Sequence, residues 1–284
     1  MTSPVRWTRP QSLRHALQVM AAEPSVVPIA GGTDLMVLLA LGDLRAGHLL
    51  DLWPLGELRG IDAAPDQTVI GALTTYRELA THPAVVERHP ALVQAARLSG
   101  AWAIQNRGTL GGNLANASPA ADSPPALLAY GARLELVSVR GSRWVDYADF
   151  HLGYKRTARA GDELIARIAL AQPPGPATHF YRKVGTRKAQ AISKVCLAGL
   201  APLSDGRLGD VRLALGAVAP TVVLARQTAA YLNGRRVPEI DRVAARAILE
   251  AEIAPIDDLR SSAWYRRRVA GNLFEQFLDA IQHR

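Results

Sequence analysis

The sequence has few residues that could hold a metal: one cysteine, Cys196, and seven scattered histidines among 284 residues. A single cysteine excludes an internal disulfide, a zinc site built from cysteines and an iron–sulfur cluster held by this chain alone. The histidines show neither His-x-x-x-His nor His-Glu-x-x-His spacing, so we expect no metal site. Redox chemistry on this chain would therefore need a bound organic cofactor.

Long apolar runs are also missing. The longest, 35–41, has seven residues, whereas a membrane-spanning helix needs about 20. The first ten residues carry arginines but no apolar stretch of the kind that a secretory signal contains. Apolar residues make up 49% of the chain and charged residues 20%, which is typical of a soluble globular protein. We expect no membrane span and a cytoplasmic location.

The formal net charge of +8 raises the question of nucleic-acid binding. Lysine and arginine are spread along the chain, with local clusters only at 181–188 and 265–268. No zinc finger, RNA-recognition signature or stacked aromatic platform accompanies these clusters, so we expect no nucleic acid. A basic surface that meets acidic partners, or that only keeps the protein soluble, explains the charge equally well.

The proline-rich stretch 172–176 is the clearest boundary in the sequence. Before it, hydrophobic spacing predicts helices and short strands in alternation: helices over 11–22, 74–79, 89–98 and 126–129, and strands over 25–30, 48–53, 68–72, 133–139 and 164–170. After it, strands over 193–202 and 211–218 precede helices over 221–232, 240–253 and 261–281. Strands first and helices last is an α+β pattern.

A first glycine-rich turn follows the strand predicted over 25–30. Gly31 and Gly32 open left-handed backbone conformations, so that successive N–H groups can converge on an anion. Thr33 and Asp34 could add hydrogen bonds or cap a helix that begins at Leu35. Taken alone, the pattern fits a plain tight turn as well. The sequence contains neither a Gly-x-Gly-x-x-Gly between strand and helix nor a Gly-Lys-Ser/Thr, which excludes the two commonest phosphate loops.

A second glycine-rich segment spans 106–119 and contains three glycines and three asparagines between apolar stretches. It carries a single arginine, so we interpret Thr109–Asn113 as a second turn whose backbone lies close to a ligand. Asp122 follows, just before Pro124. Its carboxylate could accept hydrogen bonds from a ribityl or ribose hydroxyl, or it could cap the helix that follows.

Together these motifs resemble the FAD-binding subunit of the molybdenum hydroxylases, a family that includes carbon monoxide dehydrogenase, xanthine dehydrogenase and 4-hydroxybenzoyl-CoA reductase. The resemblance begins with Ala30–Leu35 and Gly108–Leu114. It continues, in the family's order and over nearly the whole chain, through 118–125, 150–157, 162–165, 181–187 and 191–195.

The resemblance implies an α+β fold with two domains. Residues 1–172 would form an FAD-binding domain of the vanillyl-alcohol-oxidase type, with subdomains of about 1–55 and 56–172. Residues 177–284 would form a C-terminal α+β domain.

The same resemblance implies which residues contact FAD. The pyrophosphate would lie on the first turn, which comprises Ile29, Ala30, Gly31, Gly32, Thr33, Asp34 and Leu35. The second contact segment would supply Thr109, Gly112 and Asn113, and further contacts would come from the Asp122 carboxylate, the backbone of Ile165 and the side chain of Lys183. Tyr154 matches an aromatic residue near the flavin, although a buried tyrosine satisfied by one hydrogen bond is an equal alternative. The resemblance implies no catalytic residue and no metal ligand.

The implied function is electron relay, in which the protein binds, orients and tunes its cofactor. FAD would accept electrons one at a time from the [2Fe-2S] cluster of a small partner subunit and pass them to NAD, oxygen or another acceptor. The oxidised substrate would bind a large molybdopterin subunit, within a heterotrimer or a dimer of heterotrimers. Two rival classes remain at this point: a cofactor-free nucleic-acid or scaffold protein, and a stand-alone flavin-dependent reductase or oxidase.

One position departs from the family pattern. Gln190 stands where xanthine dehydrogenases place an acidic residue near the flavin ring. We expect the local field to be more positive, which would favour anionic forms of the flavin and leaves the use of NAD open.

Overall fold

A computed structural model describes residues 5–44, 47–173 and 175–283. The first unit is a parallel three-stranded sheet in the order β1-β3-β2. Its elements are β1 (Arg6–Thr8), α1 (Leu13–Ala22), β2 (Val27–Ile29), α2 (Leu35–Leu41) and β3 (His48–Asp51). Helix α1 forms because Ser12 caps it, accepting a hydrogen bond from the His15 N–H at 3.1 Å, and because Leu17 and Met20 bury one face.

The second unit is an antiparallel five-stranded sheet in the order β4-β5-β10-β6-β7, with helices inserted between β5 and β6. In chain order the elements are β4 (Ile61–Ala63), β5 (Gln67–Gly71), α3 (Tyr76–Thr81), α4 (Pro83–Arg88), α5 (Pro90–Leu98), α6 (Trp102–Gln105), α7 (Leu110–Asn116), α8 (Ser123–Ala129), β6 (Arg133–Ser138), β7 (Gly141–Asp146), β8 (His151–Gly153), β9 (Arg156–Thr157) and β10 (Leu164–Ala171). Strands β8 and β9 form a separate two-stranded sheet within the described part of the chain.

The third unit is an antiparallel sheet in the order β11-β12-β14-β15, with β13 paired to β12. Its elements are β11 (Ala177–Val184), β12 (Val195–Ser204), β13 (Arg207–Leu208), β14 (Arg212–Gly216), β15 (Val223–Leu224), α9 (Arg226–Leu232), α10 (Arg242–Glu252) and α11 (Ala263–Gln282). The strands come first and the helices last, as the α+β pattern predicts.

The C-terminal sheet is covered on both faces, which explains the uninterrupted apolar run of β12. On one face Cys196 and Ala198 share a buried cluster with Leu127 of α8. On the other, Leu197 shares a cluster with Phe277 of α11. The third unit therefore packs directly against the helices of the second, although a proline-rich stretch separates them in sequence.

In the third unit, two differences from the sequence-based expectation have a clear physical reason. Strand β11 was not predicted, because its charged residues suggested a basic cluster and hid the pairing of all eight strand residues with β12. The helix predicted over 221–232 begins only at Arg226, since Val223 and Leu224 pair with β14 as a short edge strand. Within the described residues, no helix is long and apolar enough to cross a membrane, and no group of three potential ligands clusters as a metal site.

Candidate cofactor site

The first glycine turn connects the end of β2 to the start of α2, and its backbone tolerates little besides glycine. Gly32 has φ = +75°, in the region that side chains disfavour. Gly31 packs against the backbone of Arg107, and a Cβ built on it would lie 1.6 Å from the Arg107 carbonyl oxygen. Two segments far apart in sequence thus meet at Gly31.

The amides of this turn are available to a ligand. Among the described residues, no protein group accepts a hydrogen bond from the backbone N–H of Gly31, Gly32, Thr33 or Asp34. Asp34 stands at the N-cap position of α2 but makes no side-chain capping bond, so the capping role considered for it is wrong. Consecutive unpaired amides beside a left-handed glycine are the arrangement that holds phosphate oxygens.

The second glycine segment is not a turn, and that prediction is wrong. Gly111 and Gly112 lie in the first turn of α7, and the Thr109 Oγ caps the helix by accepting the Gly112 N–H at 3.1 Å. The Leu110 N–H donates to the Thr74 carbonyl at 3.0 Å and the Gly111 N–H to the Ala72 carbonyl at 2.8 Å. These amides are already paired, so a ligand here would meet side chains and the glycine surface.

Asn113 supplies one such side chain. Its Oδ1 accepts a hydrogen bond from the Ser123 Oγ at 2.6 Å, which fixes the amide group and leaves the Nδ2 donors free among the described residues. Gly112, one residue before, is exposed. This end of α7 therefore presents a donor next to a patch without a side chain, where a ligand can approach the backbone closely.

Asp122 and Lys183 meet although they belong to different units. The Lys183 Nζ donates to the Asp122 Oδ2 at 2.6 Å and to the Leu98 carbonyl at 2.9 Å. The Ser193 Oγ donates to the Asp122 Oδ1 at 2.7 Å, and the Tyr181 hydroxyl donates to the Asp122 carbonyl at 2.9 Å. Asp122 makes no capping bond to α8, so the capping alternative is wrong and the carboxylate is held by partners from the third unit.

Burial dominates the electrostatics of this pair. The side chains of Asp122 and Lys183 are only 11% and 7% exposed. Burial raises the pKa of the Asp122 carboxyl, while the Lys183 ammonium and the Ser193 hydroxyl oppose that shift. The pair thus forms a polar centre within an otherwise apolar contact between two units.

Three further residues singled out from the sequence lie in three different places. Tyr154 sits in the turn between β8 and β9 and is 65% exposed as a residue, so the alternative of a buried, hydrogen-bonded tyrosine is wrong. Ile165 is buried in β10, beside an irregularity in the pairing with β6. Gln190 lies in an exposed loop with φ = +50°, and its backbone carbonyl accepts hydrogen bonds from both Nε and Nη2 of Arg187.

Helix α7 connects most of these parts. Arg107, just before its N-cap, contacts Gly31. Asn113 reaches Ser123, which adjoins Asp122, and at the C-terminal end the Lys155 N–H donates to the Ala117 carbonyl at 3.3 Å. The first turn, α7, Asp122 and the loop of Tyr154 are therefore linked by direct contacts. Reasoning from the sequence missed Arg107, Ser123 and Ser193 as residues that make such links.

Comparison with known proteins decides the family. Residues 3–173 match the family described as the FAD binding domain in molybdopterin dehydrogenase, and residues 179–281 match the CO dehydrogenase flavoprotein C-terminal domain. The chain belongs to the molybdopterin dehydrogenase FAD-binding family. This membership confirms the resemblance inferred from the glycine motifs.

The chain aligns with several related proteins over nearly the full length of both sequences. A xanthine dehydrogenase FAD-binding subunit of Escherichia coli is 35% identical over 268 residues, which cover 91% of this chain and 89% of that protein. A carbon monoxide dehydrogenase medium chain of Afipia carboxidovorans is 30% identical over 279 residues, covering 97% and 96%. A solved carbon monoxide dehydrogenase from Hydrogenophaga pseudoflava matches with a TM-score of 0.94 at 29% identity, covering 99% of this chain and 98% of the other.

The geometry fits the cofactor that the family name specifies. FAD carries a pyrophosphate, and the amides of Gly31–Asp34 are anion donors that have no acceptor among the residues the structure describes. The fold class predicted from the sequence, an FAD-binding domain followed by a C-terminal α+β domain, is confirmed by the same matches.

Proposed function

We propose that this chain is the FAD-carrying medium subunit of a molybdenum hydroxylase and transfers electrons within that enzyme. The observation that carries the proposal is the run of unpaired amides at Gly31–Asp34, in a chain that matches medium subunits over almost all of its length. Bound FAD supplies a group that accepts and releases electrons one or two at a time. The chain itself binds and orients that group, and we assign it no catalytic residue.

The first turn holds the pyrophosphate. The N–H groups of Gly31 to Asp34 donate to phosphate oxygens, with Ile29, Ala30 and Leu35 forming the flanks of the turn. Hydrogen bonds between amides and a charged acceptor are among the stronger ones in proteins. The φ of Gly32 and the tight contact at Gly31 keep the donors on one side of the turn.

The second group of contacts holds the rest of the cofactor. At α7, Gly112 permits close approach of FAD, and Asn113 donates from its Nδ2. The Thr109 hydroxyl oxygen acts as acceptor for the Gly112 N–H, which leaves the hydroxyl hydrogen available to the cofactor. Asp122 and Lys183 face the polyol or ribose hydroxyls. The backbone of Ile165 and the exposed ring of Tyr154 complete the set.

The Asp122–Lys183 pair also makes cofactor binding depend on both domains. We propose boundaries of 1–172 for the FAD-binding domain, with subdomains of about 1–55 and 56–172, and of 177–284 for the C-terminal domain. Lys183 and Ser193 lie in the latter but reach into the former through Asp122. The C-terminal domain would thereby close one side of the FAD site.

The proposed partners are a small subunit with [2Fe-2S] clusters and a large molybdopterin subunit, in a cytoplasmic heterotrimer or a dimer of heterotrimers. Electrons would arrive from the nearest iron–sulfur cluster and leave for NAD, oxygen or another acceptor. The net charge of +8 suits acidic surfaces on those partners. Assembly that does not weaken with added salt would argue against that electrostatic contribution.

The test is to purify the chain alone and together with its co-purifying partners and to record visible absorption spectra. We expect flavin absorption from the chain alone, and additional broad iron–sulfur absorption only when partners are present. A colourless chain that takes up no added FAD would refute the proposal. Sustained substrate oxidation by the chain alone would favour a stand-alone flavin reductase or oxidase instead.

A further inference from the structure

Arg107 has no role in the proposed set of FAD contacts, yet it touches the first turn twice. Its backbone carbonyl oxygen fills the space where a side chain on Gly31 would lie. Its side-chain Nε donates a long hydrogen bond of 3.5 Å to the Gly31 carbonyl. Both contacts join the N-terminal end of α7 to the Gly31–Asp34 turn.

The guanidinium of Arg107 rests on a fixed aromatic surface. Its Cζ lies 3.8 Å from the centroid of a Trp53 ring, and the Cζ of Arg59 lies 4.4 Å from the centroid of a Trp53 ring. Arg59 is itself held, because its Nη2 donates to the Trp53 carbonyl at 3.0 Å and its Nη1 to the Leu73 carbonyl at 3.3 Å. A planar guanidinium on an indole face is attracted by the ring and loses orientational freedom.

The hydrogen bond from Arg107 controls the direction of one amide in the turn. In a trans peptide the C=O of one residue and the N–H of the next point in opposite directions. When the Gly31 carbonyl points to Arg107, the Gly32 N–H must point away from it. Because glycines rotate freely, this peptide has little intrinsic preference, and the contact with Arg107 favours the observed orientation together with the close packing at Gly31.

Arg107 also brings a positive charge that is not engaged in an ion pair among the described residues. Within the described part of the chain, neither Arg107 nor Arg59 forms an ion pair with a carboxylate. The nearby Asp51 is occupied, since it accepts the Trp53 N–H at 3.1 Å and the Arg9 Nε at 3.1 Å. The guanidinium adds positive potential beside the anion-binding turn and opposes the negative charge that Asp34 brings to it.

We propose that Arg107 is a positioning residue for the pyrophosphate of FAD and that Trp53 holds it in place. Arg107 orients the Gly31–Gly32 peptide so that its N–H faces the phosphate, and its charge strengthens phosphate binding. The inference rests on the proposed function, in which the Gly31–Asp34 turn binds FAD.

The experiment measures FAD affinity of the flavin-stripped, full-length chain by fluorescence titration at several salt concentrations. The variants are Arg107→Met, Arg107→Lys and Trp53→Leu. The matched control is Arg77→Met, because Arg77 makes a comparable stack on a different and exposed ring, that of Trp102, with its Cζ 4.2 Å from a ring centroid.

We expect Arg107→Met to raise the Kd for FAD about tenfold, the size of the net contribution of one ordinary hydrogen bond, because the Gly32 N–H would no longer be held toward the phosphate. Its Kd should also depend less on salt, because one positive charge near the phosphates is gone. Arg107→Lys should keep the salt dependence but recover only part of the affinity, since an ammonium lacks the planar stack. Trp53→Leu should raise the Kd with the salt dependence unchanged, and Arg77→Met should stay within about twofold of wild type.

The outcomes separate this inference from the proposed function. A wild-type chain that binds no FAD overturns both. If the wild-type chain binds FAD, and Arg107→Met binds it with the same Kd and salt dependence as Arg77→Met, the inference alone is overturned. Should Arg107→Met fail to fold, Arg107→Lys decides, because wild-type affinity in that variant contradicts a role for the stacked guanidinium.

Discussion

The Asp122 carboxylate and the Lys183 ammonium meet at 2.6 Å inside the protein, although 61 residues separate them in the chain. Each brings a charge into a contact between two packed units, where only 11% and 7% of the two side chains stay exposed to water. Such a pair contributes little net stability, but loss of one member leaves the other buried and unpaired. The pair therefore makes the site sensitive to substitution in a way that depends on pH.

Lys183→Met should destabilise the flavin-free chain by about 3–5 kcal/mol at neutral pH, because Asp122 would remain buried without its cation. With Lys183 gone, the pKa of Asp122, already raised by burial, should rise further. A folded-state pKa above the unfolded one gives stability that is present at low pH and lost as pH rises. Denaturant unfolding at several pH values should thus show a deficit that grows with pH.

The control for that measurement is the double variant Asp122→Asn with Lys183→Met, which removes both charges. It should be more stable at neutral pH than Lys183→Met alone, and its pH dependence should be weaker. A deficit of Lys183→Met that is the same at every pH would contradict a buried, unpaired carboxylate as its cause.

His89 should make the fold acid-labile. The ring is fully buried at the start of α5, edge-on to Tyr130 with centroids 4.8 Å apart, and neither nitrogen has a hydrogen-bond partner among the described residues. Burial, with smaller contributions from the charges of His179 and Arg88, lowers the pKa of His89 from 6.5 to about 4. Since the unfolded chain binds the proton more readily, unfolding free energy should fall by about 3 kcal/mol as pH drops through that interval.

His89→Leu should remove most of that slope, whereas His283→Gln at the exposed end of α11 should keep it. The measurement is the free energy of unfolding in denaturant at pH values across the interval. If the wild-type and His89→Leu curves run parallel, another group causes the acid sensitivity.

The sequence predicted local features well and the contacts between distant segments poorly. Ser12 and Leu17 mark α1 through capping and helical spacing, which depend only on neighbours in the chain. The partners of Asp122 could not be foreseen, because Lys183 and Ser193 reach it only after β11 and β12 pair and pack on α8. The predicted turn at Gly111 was wrong for a similar reason, because the position needs glycine for close packing against Ala72 and not for a turn.

Gly31→Ala should abolish tight FAD binding while leaving most of the fold intact. The new Cβ would fall 1.6 Å from the Arg107 carbonyl oxygen, so the turn must move. Its N–H groups would then no longer point at the phosphate oxygens. Losing two hydrogen bonds to a charged acceptor corresponds to roughly a 100-fold or greater rise in the Kd for FAD. Isothermal titration with FAD checks this, and Gly209→Ala, where an added Cβ meets nothing within 4 Å, serves as the control.

Gly111 and Gly112 are neighbours in α7, but alanine should affect a different property at each. At Gly111 it should lower stability, and at Gly112 it should lower FAD affinity. A Cβ on Gly111 would lie 2.6 Å from the Ala72 Cβ and 2.8 Å from its carbonyl oxygen, so Gly111→Ala should cost about 1–3 kcal/mol of stability through overpacking. Gly112 is exposed, and its added Cβ would approach only the Thr109 Oγ, at 2.9 Å. Gly112→Ala should therefore keep the stability within about 1 kcal/mol but weaken FAD binding, because the methyl group occupies the surface that the cofactor approaches. Unfolding curves of the flavin-free variants together with FAD titrations distinguish the two roles, and normal FAD affinity in Gly112→Ala would remove Gly112 from the cofactor site.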